Sequence, residues 1–239
     1  MSLTSDDVKK TLNTTLKGFV GCDPEVIDDT AFGSAIIAGS FLRNFVHNQV
    51  AMGDIDIFLS DPKVGLFDDY GDQPTKLACD IKKVINDHLL PTPDTSIDVK
   101  NLVKSLEQYN IIGTNNALTF STEDFDNFFG NWIKFPDDIL KKVKKIQVVF
   151  CPPTNGTDAG KHGITRKFDF LHAMPYYDLA EGVWYSNERL NEIIAKDRLI
   201  FNPTIKLVTG KNVERYWKFI ERGMVPDNET RKRLNPWTK

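Results

Sequence analysis

Two aspartates separated by one residue, Asp54-Ile55-Asp56, are the residues whose spacing speaks most directly of chemistry. In a strand both carboxylates project from one face while Ile55 and Ile57 project from the other, so one surface is acidic and its reverse belongs to a core. Like charges this close repel, and a divalent cation between them relieves the repulsion. A third acid, Asp169 in Phe168-Asp169-Phe170, repeats the form of a carboxylate alternating with apolar residues. On a neighbouring strand it would complete a set of hard oxygen donors that suits Mg²⁺ or Mn²⁺ rather than zinc. Two such ions clamp an in-line displacement at phosphorus. Taken singly, each feature also has an ordinary account: an acidic pair suits a solvated strand edge, and a lone Asp169 suits a structural acid.

Gly39-Ser40 supplies a complementary half. The apolar run Ala35-Ile36-Ile37-Ala38 ends there, and a helix over residues 41–48 follows. Glycine at that junction lets the backbone approach a ligand, and the N–H groups of the next helical turn, with the Ser40 hydroxyl, suit phosphate oxygens.

The elements that must position these groups alternate between strand and helix. Residues 54–59 read as a two-faced strand, 73–90 as a helix closed by Pro91-Thr92-Pro93, and 116–120, 145–150 and 166–171 as further strands. Residues 122–144 are a helical insertion or an ordered loop. Beyond Asp178 the pattern turns helical, over 187–195 and 212–222, with Gly223 placed for a C-cap. The expected fold class is α/β (α+β): a mixed sheet flanked by helices over residues 1–178, and a small helical appendage over 179–239. The basic tail Arg231-Lys232-Arg233 reads as a solvated end.

Composition limits the partners. Thirty basic residues against 33 acidic ones give a net charge of −3, which argues against a non-specific nucleic-acid coat and leaves room for a local basic groove. Cys22, Cys79 and Cys151 are widely spaced and lack any CxxC pairing, so a reducing, cytoplasmic setting is expected. No apolar run approaches the roughly 20 residues that span a bilayer, so no membrane partner is expected.

The order of these pieces resembles a known family. Ala38-Gly39-Ser40-Phe41-Leu42-Arg43-Asn44, followed by Gly53-Asp54-Ile55-Asp56-Ile57, looks like the signature of the DNA polymerase beta-like nucleotidyltransferases. Its Leu-Arg-Asn continuation is similar to the head domain of poly(A) polymerases and CCA-adding tRNA nucleotidyltransferases. Residues 116–120, 146–150, 168–170 and 215–223 are similar to phage- and virus-encoded members. The resemblance implies that Asp54 and Asp56 hold both metals, that Asp169 binds the catalytic one, and that Gly39-Ser40 cradles the triphosphate. Arg43, Arg215 and Lys218 are then phosphate-binding or fold-supporting. The implied activity is Mg²⁺- or Mn²⁺-dependent transfer of a nucleoside monophosphate from an NTP to a hydroxyl, with an RNA or tRNA 3′ end as first choice. A small-molecule or protein acceptor is the alternative, as is a non-catalytic nucleotide- or RNA-binding or inhibitory module. The segment after Asp178 is shorter than the helical part with which CCA-adding enzymes measure tRNA, and no base-reading arginine and aspartate pair is evident.

The remaining polar residues have quieter readings. His172 contacts a phosphate or packs in the core, and His162 lies at the surface. Lys161, Arg166 and Lys167 neutralise a polyanion or stay solvated. Lys141, Lys142, Lys144 and Lys145 form an exposed cationic helix end. Trp132, Trp184, Tyr176 and Tyr177 pack by default, with base stacking as the alternative.

Overall fold

The computed structural model describes residues 2–22, 35–48, 53–59, 112–114, 117–129, 133–150 and 161–235. The expected helix over 73–90 and the side chains of Trp132 and His162 lie outside the described residues. Strands β2 (Ala35–Ala38) and β3 (Gly53–Leu59) pair antiparallel, with Ala38 opposite Asp56 and Ile36 opposite Phe58. β7 (Val143–Phe150) runs parallel to β3 on its other side. The hairpin β4 (Ile112–Thr114) and β5 (Ala117–Phe120) extends the sheet beyond β7, and β8 (Tyr176–Asp178) and β9 (Val183–Tyr185) extend it beyond β2. The result is a seven-stranded mixed sheet in the order β4-β5-β7-β3-β2-β8-β9, an α/β fold.

Alternation along β3 decides which face is core. Ile55, Ile57 and Leu59 are fully buried and join Ala35 and Ile37 in the principal core. Burying side chains of this size contributes about 1.5–3 kcal/mol each. Helix α1 (Ser5–Lys10) and its π-helical continuation over Thr11–Thr15 cover this face through Val8 and Leu12. So do α2 (Phe41–Val46) through Phe41 and Leu42, and α6 (Glu188–Ala195) through Ile194. Phe19 anchors the centre, its ring 5.2 Å from Phe41, 5.7 Å from Phe135 and 5.8 Å from Trp184. On the opposite face Ile36, Ala38 and Tyr176 form a smaller cluster with Ile164, flanked by Phe58 and Phe168. Asp54 and Asp56 share that face, where the apolar cover runs out.

Residues 122–144, open between insertion and loop, form α3 (Thr122–Phe129), β6 (Ile133–Lys134) and α4 (Asp137–Leu140); β6 pairs with β1 (Gly21–Cys22). The C-terminal part holds β10 (Arg198–Leu199), α7 (Gly210–Glu221), β11 (Val225–Pro226) and α8 (Asn228–Leu234). Its own core gathers Leu199, Phe201, Tyr216, Met224 and Leu234 around Phe170. The main sheet therefore runs past Asp178 to Tyr185, and the second core begins at Phe170. Gly223, with φ 87°, follows the C-cap of α7 as its position predicts. The basic tail is a helix rather than a solvated end: the Asp227 side chain caps α8 by accepting from the Thr230 N–H at 2.8 Å, and Leu234 is buried.

The strand expected over 166–171 is absent from the structure. α5 (Lys161–Arg166) is helical and Leu171–Ala173 is a 3₁₀ turn. Only an isolated bridge joins Phe170 to Phe201, and the neighbour of β2 is β8. The carbonyls of Arg166 and Phe168 accept instead from the buried Asn202 amide, at 2.8 and 3.0 Å, and the Asp169 carbonyl from the Asn202 N–H at 2.7 Å. Alternating Phe168 and Phe170 reflect a chain that crosses between two cores, one ring in each. No described helix is long and apolar enough to cross a membrane.

Candidate functional site

The uncovered part of the sheet face opens into a cleft of about 730 Å³, a size common for small-ligand sites. β3 supplies its acidic wall: Asp54 is exposed, Asp56 is half-buried, and both line the cleft with Phe58. Burial and the neighbouring Asp54 push the Asp56 carboxyl up to about 7, against the opposing pull of Arg215 and Lys218. Asp56 is poorly solvated and crowded by the exposed Asp54, and a proton or cation added between them relieves that repulsion.

Gly39 closes one side of the pair. Its φ of 107° is a left-handed conformation that L side chains rarely adopt, and a Cβ there would stand 3.1 Å from Asp56 Oδ2. The backbone thus lies directly against the carboxylate. Its N–H donates to the Ala173 carbonyl at 3.1 Å, which ties the turn to the 3₁₀ segment. Ser40 is the N-cap of α2, and its hydroxyl makes no capping hydrogen bond.

α7 supplies the cationic wall. Arg215, Lys218, Phe219 and Arg222 line the cleft at helical positions i, i+3, i+4 and i+7, one continuous stripe of the helix. The stripe exists because Tyr216 and Ile220 turn the adjoining face into the second core. Thr209 starts the helix with a capping box, accepting from the Asn212 N–H while the Asn212 side chain accepts from the Thr209 N–H at 2.7 Å.

The expected site residues all border this cleft, with differing engagements. Asp169 lies on the loop pinned by Asn202, and its carboxylate accepts from Arg215 Nη1 at 2.5 Å. Among the described residues no three acidic, histidine or cysteine side chains stand together as a metal site. The pair Asp54 and Asp56 fits the smaller requirement of Mg²⁺, which is commonly held by one or two carboxylates with water and substrate phosphate completing the shell. Arg43 is buried and bidentate to Asp197, Nε to Oδ1 and Nη2 to Oδ2 both at 2.7 Å. Of its two expected roles, fold support is the one this geometry displays. His172 is packed, its ring 4.6 Å from Phe219, and burial lowers its pKa to about 3, with Arg43 and Arg222 adding to the effect. Tyr176, Tyr177 and Trp184 also pack, Tyr176 stacking on Tyr185 and the indole N–H of Trp184 donating to the Leu16 carbonyl.

Sequence reading passed over several cleft residues. Gln147 is the register partner of Asp56 on β7 and donates to Thr119 Oγ1 at 3.0 Å; a lone polar residue inside Ile146-Gln147-Val148-Val149 was its signal. Arg222 follows Arg215 at i+7. Lys167, expected either to neutralise a polyanion or to stay solvated, borders the cleft, and so does Lys144, expected on a helix end. Asn202 had no signal, since its role is to satisfy the backbone of a loop far away in sequence.

The class this geometry defines is an α/β protein with a cleft that sets two carboxylates against a cationic helix stripe. A scan against family models returns no match for the chain, and neither does a search of curated proteins.

Proposed function

We propose that the protein transfers a nucleoside monophosphate from an NTP to a hydroxyl acceptor, with an RNA 3′ end favoured, as the resemblance to polymerase beta-like nucleotidyltransferases implies. The observation that carries the reading is the opposition, within one cleft, of Asp54 and Asp56 on β3 to Arg215 and Lys218 on α7. A metal–triphosphate complex needs that opposition: oxygen donors on one side and counter-charges for phosphate on the other. Asp54 and Asp56 would hold Mg²⁺ or Mn²⁺, which when bound neutralises phosphate charge and makes the acceptor hydroxyl more acidic. Arg215, Lys218 and Lys167 would hold the triphosphate, and the Gly39 turn would keep Asp56 in place. The acceptor oxygen bonds to the α-phosphorus, the bond from that phosphorus to the bridging oxygen of the leaving pyrophosphate breaks, and the hydroxyl proton leaves to a carboxylate or water.

The test is incubation with α-labelled NTPs, Mg²⁺ and total RNA. Wild type should label RNA, and Asp54→Asn should lower the rate roughly a thousandfold, about 4 kcal/mol. Absence of label in RNA, protein and small molecules alike, or an Asp54→Asn variant as active as wild type, overturns the proposal.

A second reading draws on the Asp169–Arg215 pair, which occupies the carboxylate of the third acid with a guanidinium. It is a nucleotide-binding module without turnover. NTP-dependent, Mg²⁺-dependent thermal stabilisation with no pyrophosphate release would favour it.

A further inference from the structure

Lys141, Lys142, Lys144 and Lys145 are all exposed, and their sequence suggests a solvated helix end. Only Lys141 fits that account, as the C-cap of α4. Lys144 and Lys145 belong to β7, beside the acidic strand. The register there slips: Gly53 pairs with Val143 but Ile55 with Ile146, so two lysines stand opposite the single residue Asp54. Bulges are rare in parallel pairs and serve to re-aim side chains beside functional sites. Here the bulge brings Lys144 to the cleft. Among the described residues none of the four lysines has an acidic partner within ion-pair distance.

The strand carrying Asp54 and Asp56 has two flanks. On the β2 flank lies the Gly39 turn, and α7 supplies the cations whose field reaches Asp56. Those groups suffice for a triphosphate. The lysine run on the β7 flank is further positive charge outside the cleft that touches it at Lys144, in a chain whose net charge is −3. A ligand that uses it must be anionic, longer than an NTP, and have an end that reaches Asp54.

We infer that this run is an acceptor track: the phosphodiester backbone of single-stranded RNA lies along residues 141–145, and its 3′ end passes Lys144 to reach Asp54. The identity of that end rests on the transfer reading above; the binding of the strand does not. Four neutralised phosphates give a slope of log affinity against log salt near −3, or roughly a 50-fold loss between 50 and 200 mM salt.

The experiment is fluorescence anisotropy of the full-length protein with a 5′-fluorescein 12-nucleotide RNA in Mg²⁺, without NTP, across that salt range. The quadruple variant Lys141→Gln, Lys142→Gln, Lys144→Gln, Lys145→Gln should bind at least tenfold more weakly at 50 mM salt, with a nearly flat salt dependence. A control that removes four exposed cations elsewhere, Lys9→Gln, Lys10→Gln, Arg231→Gln and Lys232→Gln, should change affinity less than threefold. Unchanged thermal midpoints show that both variants fold. In a second arm, RNA carrying 4-thiouridine at its 3′ terminus should photo-crosslink to β3 or β7, and RNA carrying it at the 5′ terminus should not. No RNA binding by wild type, equal losses in the two variants, tighter binding of a polyglutamate peptide than of RNA, or reversed crosslinking overturns the inference. Lysine-dependent binding without nucleotide transfer would retire the proposed reaction and leave the track. Transfer to RNA undiminished in the quadruple variant would do the reverse.

Discussion

Arg43 and Arg215 both border the cleft, each paired with an aspartate, yet the two pairs are built for different work. Arg43 is 2% exposed, bidentate to Asp197, and donates a third bond to the Arg222 carbonyl at 3.2 Å. Asp197 is held for this in a left-handed conformation, φ 55°, just after the C-cap of α6. Arg215 is 58% exposed and touches Asp169 through one nitrogen. A buried pair cannot release one partner without stranding a charge, whereas an exposed pair is worth about 0–1 kcal/mol and exchanges partners readily. Residue type and proximity to the cleft are the same in both cases. Burial separates a fold-supporting arginine from one free to change partners.

The contrast breaks first on stability. Arg43→Ala or Asp197→Ala should cost about 3–5 kcal/mol in denaturant unfolding, since each leaves a buried or half-buried charge uncompensated. Arg215→Ala should stay within about 1 kcal/mol of wild type. An Arg43→Ala protein as stable as wild type would erase the distinction.

A smaller effect follows from Asp56. Its carboxyl titrates near 7 in the folded protein against 3.8 as the ordinary value, so between those limits the native state holds more protons than the unfolded one. Metal-free stability should therefore fall as pH rises from 4 to 7, by on the order of 2–4 kcal/mol at most. Asp56→Asn should remove that component, and the difference between the two unfolding curves is the measurement. Because the ion competes with this proton, Mg²⁺ affinity measured by calorimetry should rise up to tenfold per pH unit towards 7 and then level. A pH-independent affinity would show that Asp56 is not a ligand.

Arg215 comes next in size. Exchange of its partner from Asp169 to a triphosphate predicts that Arg215→Ala weakens Mg²⁺–NTP binding about 10- to 30-fold, the loss of a charge-assisted contact of about 1.4–2 kcal/mol. Arg43→Lys should leave nucleotide affinity unchanged in the fraction that folds. Equal losses of affinity in both would merge the two arginines into one role.

The legibility of these roles in the sequence follows the range of the forces involved. The β3 alternation is local, and Ile55, Ile57 and Leu59 face the principal core as the period predicts. Gly39 and the start of α2 are local too, a strand end and a turn. Asp169 was legible as a cleft residue and not as a strand residue, because the alternation of Phe168 and Phe170 serves two separate cores and the backbone bonds come from Asn202. Nothing near Asp169 in sequence announces Asn202 or Arg215. The β7 bulge was hidden for the same reason: a register slip belongs to two strands about 90 residues apart, and Lys144-Lys145 alone reads as a helix end.

His172 gives the smallest and most discriminating expectation, because it sits behind the cleft between the two kinds of residue. It is fully buried, neither ring nitrogen has a hydrogen-bond partner among the described residues, and it packs edge-on to Phe219, a residue of the cationic stripe. An unsatisfied buried donor carries a desolvation cost, so His172→Leu, close in volume, should stabilise the protein by about 1 kcal/mol at pH 7.5. With its pKa lowered to about 3, the native ring binds fewer protons than the unfolded one between pH 3 and 6.5, so wild type loses stability as pH falls through that range. The leucine variant should escape that component, and its advantage should widen as the solution is acidified. If the gain at pH 7.5 came with a tenfold loss of NTP affinity, His172 would be positioning Phe219 and the cationic stripe. If affinity is unchanged, the stripe is held by the helix and its second core alone.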